Sequence, residues 1–162
     1  LLLLARSETE ALPRDRKPVP VSATLRTAIE NAETAFRERT GKRGAPIMLS
    51  VTDAARDAVF ADADETCLVR VFVNLLENAL RHTPDATGNT ITVSAAVENG
   101  LGVVRVVDTG SGIALEHLPH LFDRFYRADA GRDREKGGTG LGLSIVQTLV
   151  HAHGGTVGIE ST

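Results

Sequence analysis

Cysteine occurs once in the 162 residues, at Cys67, so no internal disulfide can form, and nothing around it has zinc or redox-motif spacing. That scarcity fits a reducing compartment. A strong excess of charge of either sign is also missing. Eighteen Lys and Arg stand against 21 Asp and Glu, and a net charge of -3 gives no electrostatic basis for binding nucleic acid or a membrane surface. Long apolar runs are absent. Leu1–Leu4 falls far short of the ~20 residues that span a bilayer and follows no basic segment, so it is expected to be a helix end, not a targeting signal. There are no repeats or low-complexity tracts. With 42% apolar and 24% charged residues, the composition is that of one ordinary globular domain with a proper core.

Two familiar phosphate-binding signatures are absent as well. No GxxxxGK[ST] occurs, since Gly41-Lys42 is followed by Arg43 at an expected helix end. Gly138-Thr139-Gly140-Leu141-Gly142 is GxGxG, not the dinucleotide GxGxxG, and no strand leads directly into it. The five histidines, His82, His117, His120, His151 and His153, show no metal-ligand spacing with a carboxylate.

Glycine is what the chain concentrates. Of its 15 glycines, Gly131, Gly137, Gly138, Gly140 and Gly142 crowd into one short span, which suggests a sharp turn or a close approach to a ligand. A helix follows directly, LSIVQTLV. Its free N–H groups and positive dipole end would suit a phosphate, whereas a flexible linker need not continue into an apolar helix.

Taken in order, Leu1–Glu10 reads as helix and the prolines at 13, 18 and 20 break it. Val19–Ser22 alternates as a short strand, and Thr24–Thr40 has the spacing of an amphipathic helix stopped by Gly41. Ile47–Val51 and Ala58–Ala61 read as strands joined by a turn. Asp64 is a good N-cap for a helix to about Arg81, with Leu68, Phe72, Leu75, Leu76 and Ala79 on one side and Asn74, Asn78 and Arg81 on another. A hairpin, Thr90–Val97 and Leu101–Val107, turns through Glu98, Asn99 and Gly100. Short helical turns surround Pro119, a last helix covers Thr139–His153, and Thr156–Glu160 begins another strand. Helices separated by strand pairs predict an α+β fold, one mixed sheet covered on one face, and not a doubly wound nucleotide fold.

Several residues admit a plain and a chemical reading. Asp108 closes the run GVVRVVD, and Asp-Thr-Gly alone is satisfied as a turn. Its carboxylate could instead accept from the exocyclic amine of adenine, which guanine would replace with an acceptor. Asn74 and Asn78 could be polar residues on a solvated face, or side-chain carbonyls directed at hydrated magnesium with Arg81 reaching phosphate oxygens. The loop holding Arg124, Arg127, Arg132, Arg134 and Lys136, interleaved with acids, could be a solvated segment or a lid over a triphosphate. Phe122 and Phe125 are expected to anchor its stem in the core.

Together these stretches resemble the catalytic ATP-binding domain of bacterial sensor histidine kinases, in the wider family of gyrase, the Hsp90 chaperone and MutL. NLLENALRHTP is similar to that family's N box, DTGSGI to its first glycine box, LFDRFYR to its F box and GGTGLGLSIV to its second glycine box, in that order over Val71–Val146. The resemblance implies a Bergerat-type two-layer α/β sandwich, a mixed five-stranded sheet with about three helices on one face. It implies ATP and Mg²⁺ as cofactors, with Asn78 on the metal and Asn74 beside the phosphates. Arg81 and His82 match a basic–aromatic pair near the triphosphate. Asp108 would hold the adenine amine, with Gly110, Gly112 and Ile113 lining the base. Arg127 would face the γ-phosphate, and Gly138, Thr139, Gly140, Leu141 and Gly142 would form the lid hinge and phosphate cradle. Asn74, Arg81 and Arg127 are thus the implied catalytic residues.

The implied reaction is phosphoryl transfer from ATP to a histidine nitrogen. LLLLARSE is similar to the end of the dimerisation and phosphotransfer domain, which divides the chain into residues 1–10 as its remnant, 11–18 as linker and 19–162 as catalytic domain. No His-Glu phosphoacceptor motif lies upstream of the N box, so the acceptor is expected on a separate domain. The chain also ends where the family adds a further strand. A response regulator is an implied partner, with no nucleic acid. The fragment is expected to be monomeric, and its parent a homodimer anchored in the bacterial inner membrane with this domain in the cytoplasm. Gyrase- and chaperone-type relatives carry a general-base Glu where Asn74 stands, and an amide cannot deprotonate water. A serine kinase of the anti-sigma type is the nearer alternative, against which FDRFYR and the lead-in count.

Overall fold

The computed structural model describes residues 12–128 and 139–161. The expected helix at Leu1–Glu10, and Gly131, Gly137, Gly138, Arg132, Arg134 and Lys136 of the expected lid, lie outside these residues.

The chain runs β1 (Lys17–Pro20), α1 (Val21–Thr40), β2 (Ile47–Val51), a single-turn α2 (Asp53–Arg56), β3 (Val59–Ala63), α3 (Glu65–His82), β4 (Ile91–Glu98), β5 (Leu101–Asp108), a 3₁₀ turn at Leu118–His120 and α4 (Gly142–Ala152). The five strands hydrogen-bond as a pair and a triple. β1 lies antiparallel to β3, while β2 runs parallel to β4 and β4 antiparallel to β5, so the larger sheet is mixed. The β4–β5 hairpin turns on Asn99 (φ 51°) and Gly100 (φ 78°), the two positive dihedrals that a tight turn matching strand twist requires.

The pleat of β4 sorts its side chains between faces. Ile91, Val93 and Ala95 are buried beneath the helices, and the alternating Thr92, Ser94 and Ala96 point to the other face. On that second face Thr92 stands between Met48 and Val107, both more than half exposed, which marks it as uncovered by helix. α3 is the centre of the helical layer and packs between α1 and α4. Leu25, Ala28 and Ala32 of α1 meet Leu68, Val71, Phe72, Leu76 and Leu80 of α3, with Val146 and Leu149 of α4 closing the core. No helix among the described residues is long and apolar enough to cross a membrane.

Three expectations change. In place of one mixed five-stranded sheet, the strands of the described residues form a two-stranded and a mixed three-stranded sheet, because β1 and β3 pair only with each other. Thr156–Ser161 forms no strand, although Ser161 Oγ accepts from the Ile113 N–H at 2.8 Å and so lies along the loop after β5. α4 begins at Gly142 and not at Thr139, because Gly140 takes a left-handed φ of 69° that a helix cannot include.

Candidate functional site

α3 brings Asn74 and Asn78 into place one turn apart, both half-buried. Asn74 Nδ2 donates to the Arg70 carbonyl at 2.8 Å, which fixes the amide and leaves Oδ1 turned toward α4. A Cβ built on Gly142, the first residue of α4, would lie 3.0 Å from that oxygen. The amide-bearing helix and the glycine-rich helix start therefore meet. Among the described residues no side chain caps the N–H groups of α4, since Ser144 Oγ donates to the Leu141 carbonyl and does not accept. Leu141 is half-buried and Thr139 exposed.

The second meeting point is at the C-terminal end of α3. Asp108 is the last residue of β5, and its Oδ1 accepts from the Gly110 N–H at 2.8 Å. This is the turn reading of Asp-Thr-Gly, but it occupies one carboxylate oxygen; Oδ2 accepts nothing from the described residues and Asp108 is exposed. A Cβ on Gly110 would fall 2.5 Å from the His82 carbonyl oxygen and 2.7 Å from Asp108 Oδ1. Only a bare backbone fits there, so the first glycine loop is wedged against the end of α3. His82 thus contributes its carbonyl to this packing while its imidazole is exposed, and Arg81 beside it is half-buried. Thr83 follows, 2% exposed, with a buried hydroxyl that has no hydrogen-bond partner among the described residues. Gly112 takes φ 70° and Ile113 is half-buried.

The segment Leu121–Arg127 leans on the hinge. The Phe125 N–H donates to the Gly140 carbonyl at 2.9 Å, and a Cβ on Gly140 would meet Phe125 Cα at 2.8 Å. Phe125 itself is left-handed (φ 63°) and 59% exposed. The expected anchoring of the stem by Phe125 is therefore corrected, because the backbone turn that receives Gly140 directs the ring outward. Tyr126 does hold the segment, through its hydroxyl and His117 Nδ1 at 2.8 Å. Arg127 is half-buried. No hydrogen bond joins Asn78 to Asp108 or to the glycine loops among the described residues, and Gly138 lies outside them.

A polar cluster that local spacing did not reveal sits at the start of α3. Asp64, 7% exposed, caps α3 as expected: Oδ1 accepts from the Cys67 N–H at 3.1 Å. Its Oδ2 also accepts from the backbone N–H groups of Arg14 (2.9 Å) and Asp15 (3.0 Å). Burial pushes this carboxyl up, but the three backbone N–H donors outweigh it and hold it at about 2. Burial, with Asp64 alongside, pushes the Cys67 thiol up. The Asp64 N–H donates to His153 Nε2 at 3.1 Å.

Among the described residues no group of three His, Cys, Asp or Glu is arranged to hold a metal. A cation here would have amide oxygens and ligand oxygens, a donor set that suits magnesium better than zinc.

Residues 63–162 match the family model described as histidine kinase-, DNA gyrase B-, and HSP90-like ATPase. The chain is 37% identical over 154 residues to the signal transduction histidine-protein kinase BaeS of Escherichia coli (strain K12), covering 95% of this chain and 31% of that protein. It is 51% identical over 98 residues to the sensor histidine kinase CusS of the same strain, covering 60% and 20%. The mycobacterial sensor histidine kinase MprB is similar in structure, with a TM-score of 0.66 and 25% identity over 86% of this chain and 81% of that one. The chain spans less than a third of the length of the curated relatives it matches. Its fold, its meeting of an amide helix with a glycine-rich helix start, and these likenesses agree: the chain belongs to the histidine kinase-, DNA gyrase B- and HSP90-like ATPase family, as an ATPase domain of the sensor histidine kinase kind.

Proposed function

We propose that this domain binds ATP with Mg²⁺ and transfers the γ-phosphate to a histidine on a separate dimerisation and phosphotransfer domain, from which a response regulator is then supplied. The observation that carries the reading is the double closure of α3. Asn74 backs the uncapped start of α4 at one point, and Gly110 seats the Asp108 loop against the end of the same helix at another. Phosphate and base sites are thereby tied to one rigid element.

The residues fit the nucleotide. Asp108 keeps one oxygen free for an exocyclic amine, and that preference selects adenine. The uncapped N–H groups of α4 suit phosphate oxygens. The Thr83 hydroxyl is a buried polar atom that a bound group or water would satisfy. Asn78 would supply one oxygen to the metal, with Asn74 beside the phosphates, Arg81 and Arg127 supplying positive charge, and His82 near the triphosphate. Transfer of the γ-phosphorus from the β-phosphate oxygen to a histidine nitrogen would give ADP and a phosphohistidine, and a magnesium ion held by Asn78 would supply neutralisation of the developing charge. The protein's own share is orientation and electrostatics, since Asn74 cannot act as a general base.

In this reading residues 1–10 end the dimerisation helix, 11–18 link it, and 19–162 are catalytic. Thr139, Gly140, Leu141 and Gly142, with Gly138, form the hinge and phosphate cradle, while Gly110, Gly112 and Ile113 line the base. The parent is a homodimer anchored in the inner membrane with this domain in the cytoplasm. The test is incubation with γ-labelled ATP and a separately made phosphoacceptor domain: label should move to the acceptor and not to this chain. Stable self-labelling of the chain, or calorimetry giving Asp108→Asn unaltered ATP affinity, would refute it.

A further inference from the structure

α3 and α4 lie antiparallel, and α4 touches α3 at both of its own ends. Asn74 faces Gly142 at one end, and the Asp64 N–H donates to His153 Nε2 at the other. His153 Nδ1 lies 2.7 Å from the Leu149 carbonyl, so Nδ1 carries the proton and Nε2 is the acceptor. The entering chain joins at this second end. The N–H groups of Arg14 and Asp15 converge on Asp64 Oδ2, while the Arg16 guanidinium donates to the Ala152 carbonyl and pairs with Asp62 Oδ2 at 3.3 Å. Capping α3 needs only Oδ1. The second oxygen of a nearly buried carboxylate is committed wholly to two backbone groups some fifty residues away.

We propose that Asp64 and His153 form a clasp that fixes the segment Arg14–Arg16 to the α3–α4 pair, so that this segment and nucleotide in the pocket bias one another. Both are positioning residues, and neither touches the pocket. From Asp64 to Asn74 is ten residues of one helix, about 15 Å. Displacing the entry segment pulls on the cap of α3 and the end of α4 together. The opposite end of α4 and the middle of α3 are the surfaces that meet at Gly142 and Asn74. Coupling of this kind is reciprocal, so nucleotide must tighten the clasp to the degree that the clasp favours nucleotide. This half of the inference rests on the nucleotide reading above; the clasp itself does not.

The test is amide hydrogen exchange on this chain with Asp64→Asn. Asn Oδ1 still caps Cys67, but Nδ2 presents a donor to the donors of Arg14 and Asp15. Exchange at Arg14 and Asp15 should quicken roughly tenfold or more, while Cys67 keeps its rate. A non-hydrolysable ATP analogue, with binding followed by calorimetry, should slow Arg14 and Asp15 about fivefold in the unaltered chain and leave Asp64→Asn unaffected. Arg16→Ala, a surface change, should give a weaker form of the same loosening. Unchanged exchange at Arg14 and Asp15 in Asp64→Asn overturns the clasp. Measurable binding heat with no slowing in the unaltered chain overturns the coupling. Absence of binding heat overturns the nucleotide reading and the coupling with it, while exchange rates without nucleotide still decide the clasp.

Discussion

Replacing Gly110 by Ala tests the seating of the Asp108 loop directly. The added Cβ would stand 2.5 Å from the His82 carbonyl oxygen, roughly 1 Å inside the ~3.5 Å where non-bonded contact becomes favourable. The obstacle is backbone at the end of a packed helix, so the loop must move instead of a side chain. Overpacking of this kind costs about 2 kcal/mol, which for a domain of this size lowers the melting temperature by roughly 4–8 °C. The loop carries Asp108 with it, since Oδ1 is bound to the Gly110 N–H. Losing a charge-assisted hydrogen bond to the base weakens ATP binding by roughly 10- to 100-fold. Gly100→Ala is the matched control. Gly100 has φ 78° but open space around it, so Ala there costs about 1–2 kcal/mol of backbone strain with no effect on the pocket. Differential scanning fluorimetry and calorimetry on both variants separate the two effects. Equal ATP affinity in Gly110→Ala and the unaltered chain would refute the placement of the Asp108 loop.

Three other perturbations have expected outcomes. The Asp64 carboxyl sits at about 2 in the fold against 3.8 unfolded, so its contribution is complete above pH 4 or so and is lost as pH falls toward 2. It amounts to about 2 kcal/mol, and urea melts between pH 5 and 2 should show Asp64→Asn with a flatter acid limb. Tyr126→Phe removes the hydroxyl bound to His117 Nδ1 and should lower the melting temperature by a few degrees, for about 1 kcal/mol, as thermal melts will show. Phe125→Asn places a residue that tolerates left-handed backbone at an exposed position, so it should stabilise the fold by about 0.5–1 kcal/mol in chemical denaturation.

The helices and strands were legible because their signals are local. Ile47–Val51 is a strand over the expected span, Asp64 caps its helix, and Asn99-Gly100 makes the turn. The four motifs likewise lie in short continuous stretches. What sequence did not reveal depends on contacts between distant residues. Asp64 reads as a cap from Cys67, three residues on, yet its partners Arg14, Asp15 and His153 are separated from it by 50, 49 and 89 positions. Phe125 reads as a core residue by its chemistry, and only the turn that receives Gly140 sends it outward. Gly110 could be seen to be free of a side chain, but not that the end of another helix occupies the space.

The lone thiol of the chain offers an experimental handle. Cys67 lies buried in the opening turn of α3, beside a carboxylate that discourages its ionisation, so the native thiol is shielded from alkylating reagents. Any modification must wait until that turn lifts away. The rate at which a thiol-directed dye attaches to the unaltered chain therefore times the breathing of this single helical end, with no engineered reporter required.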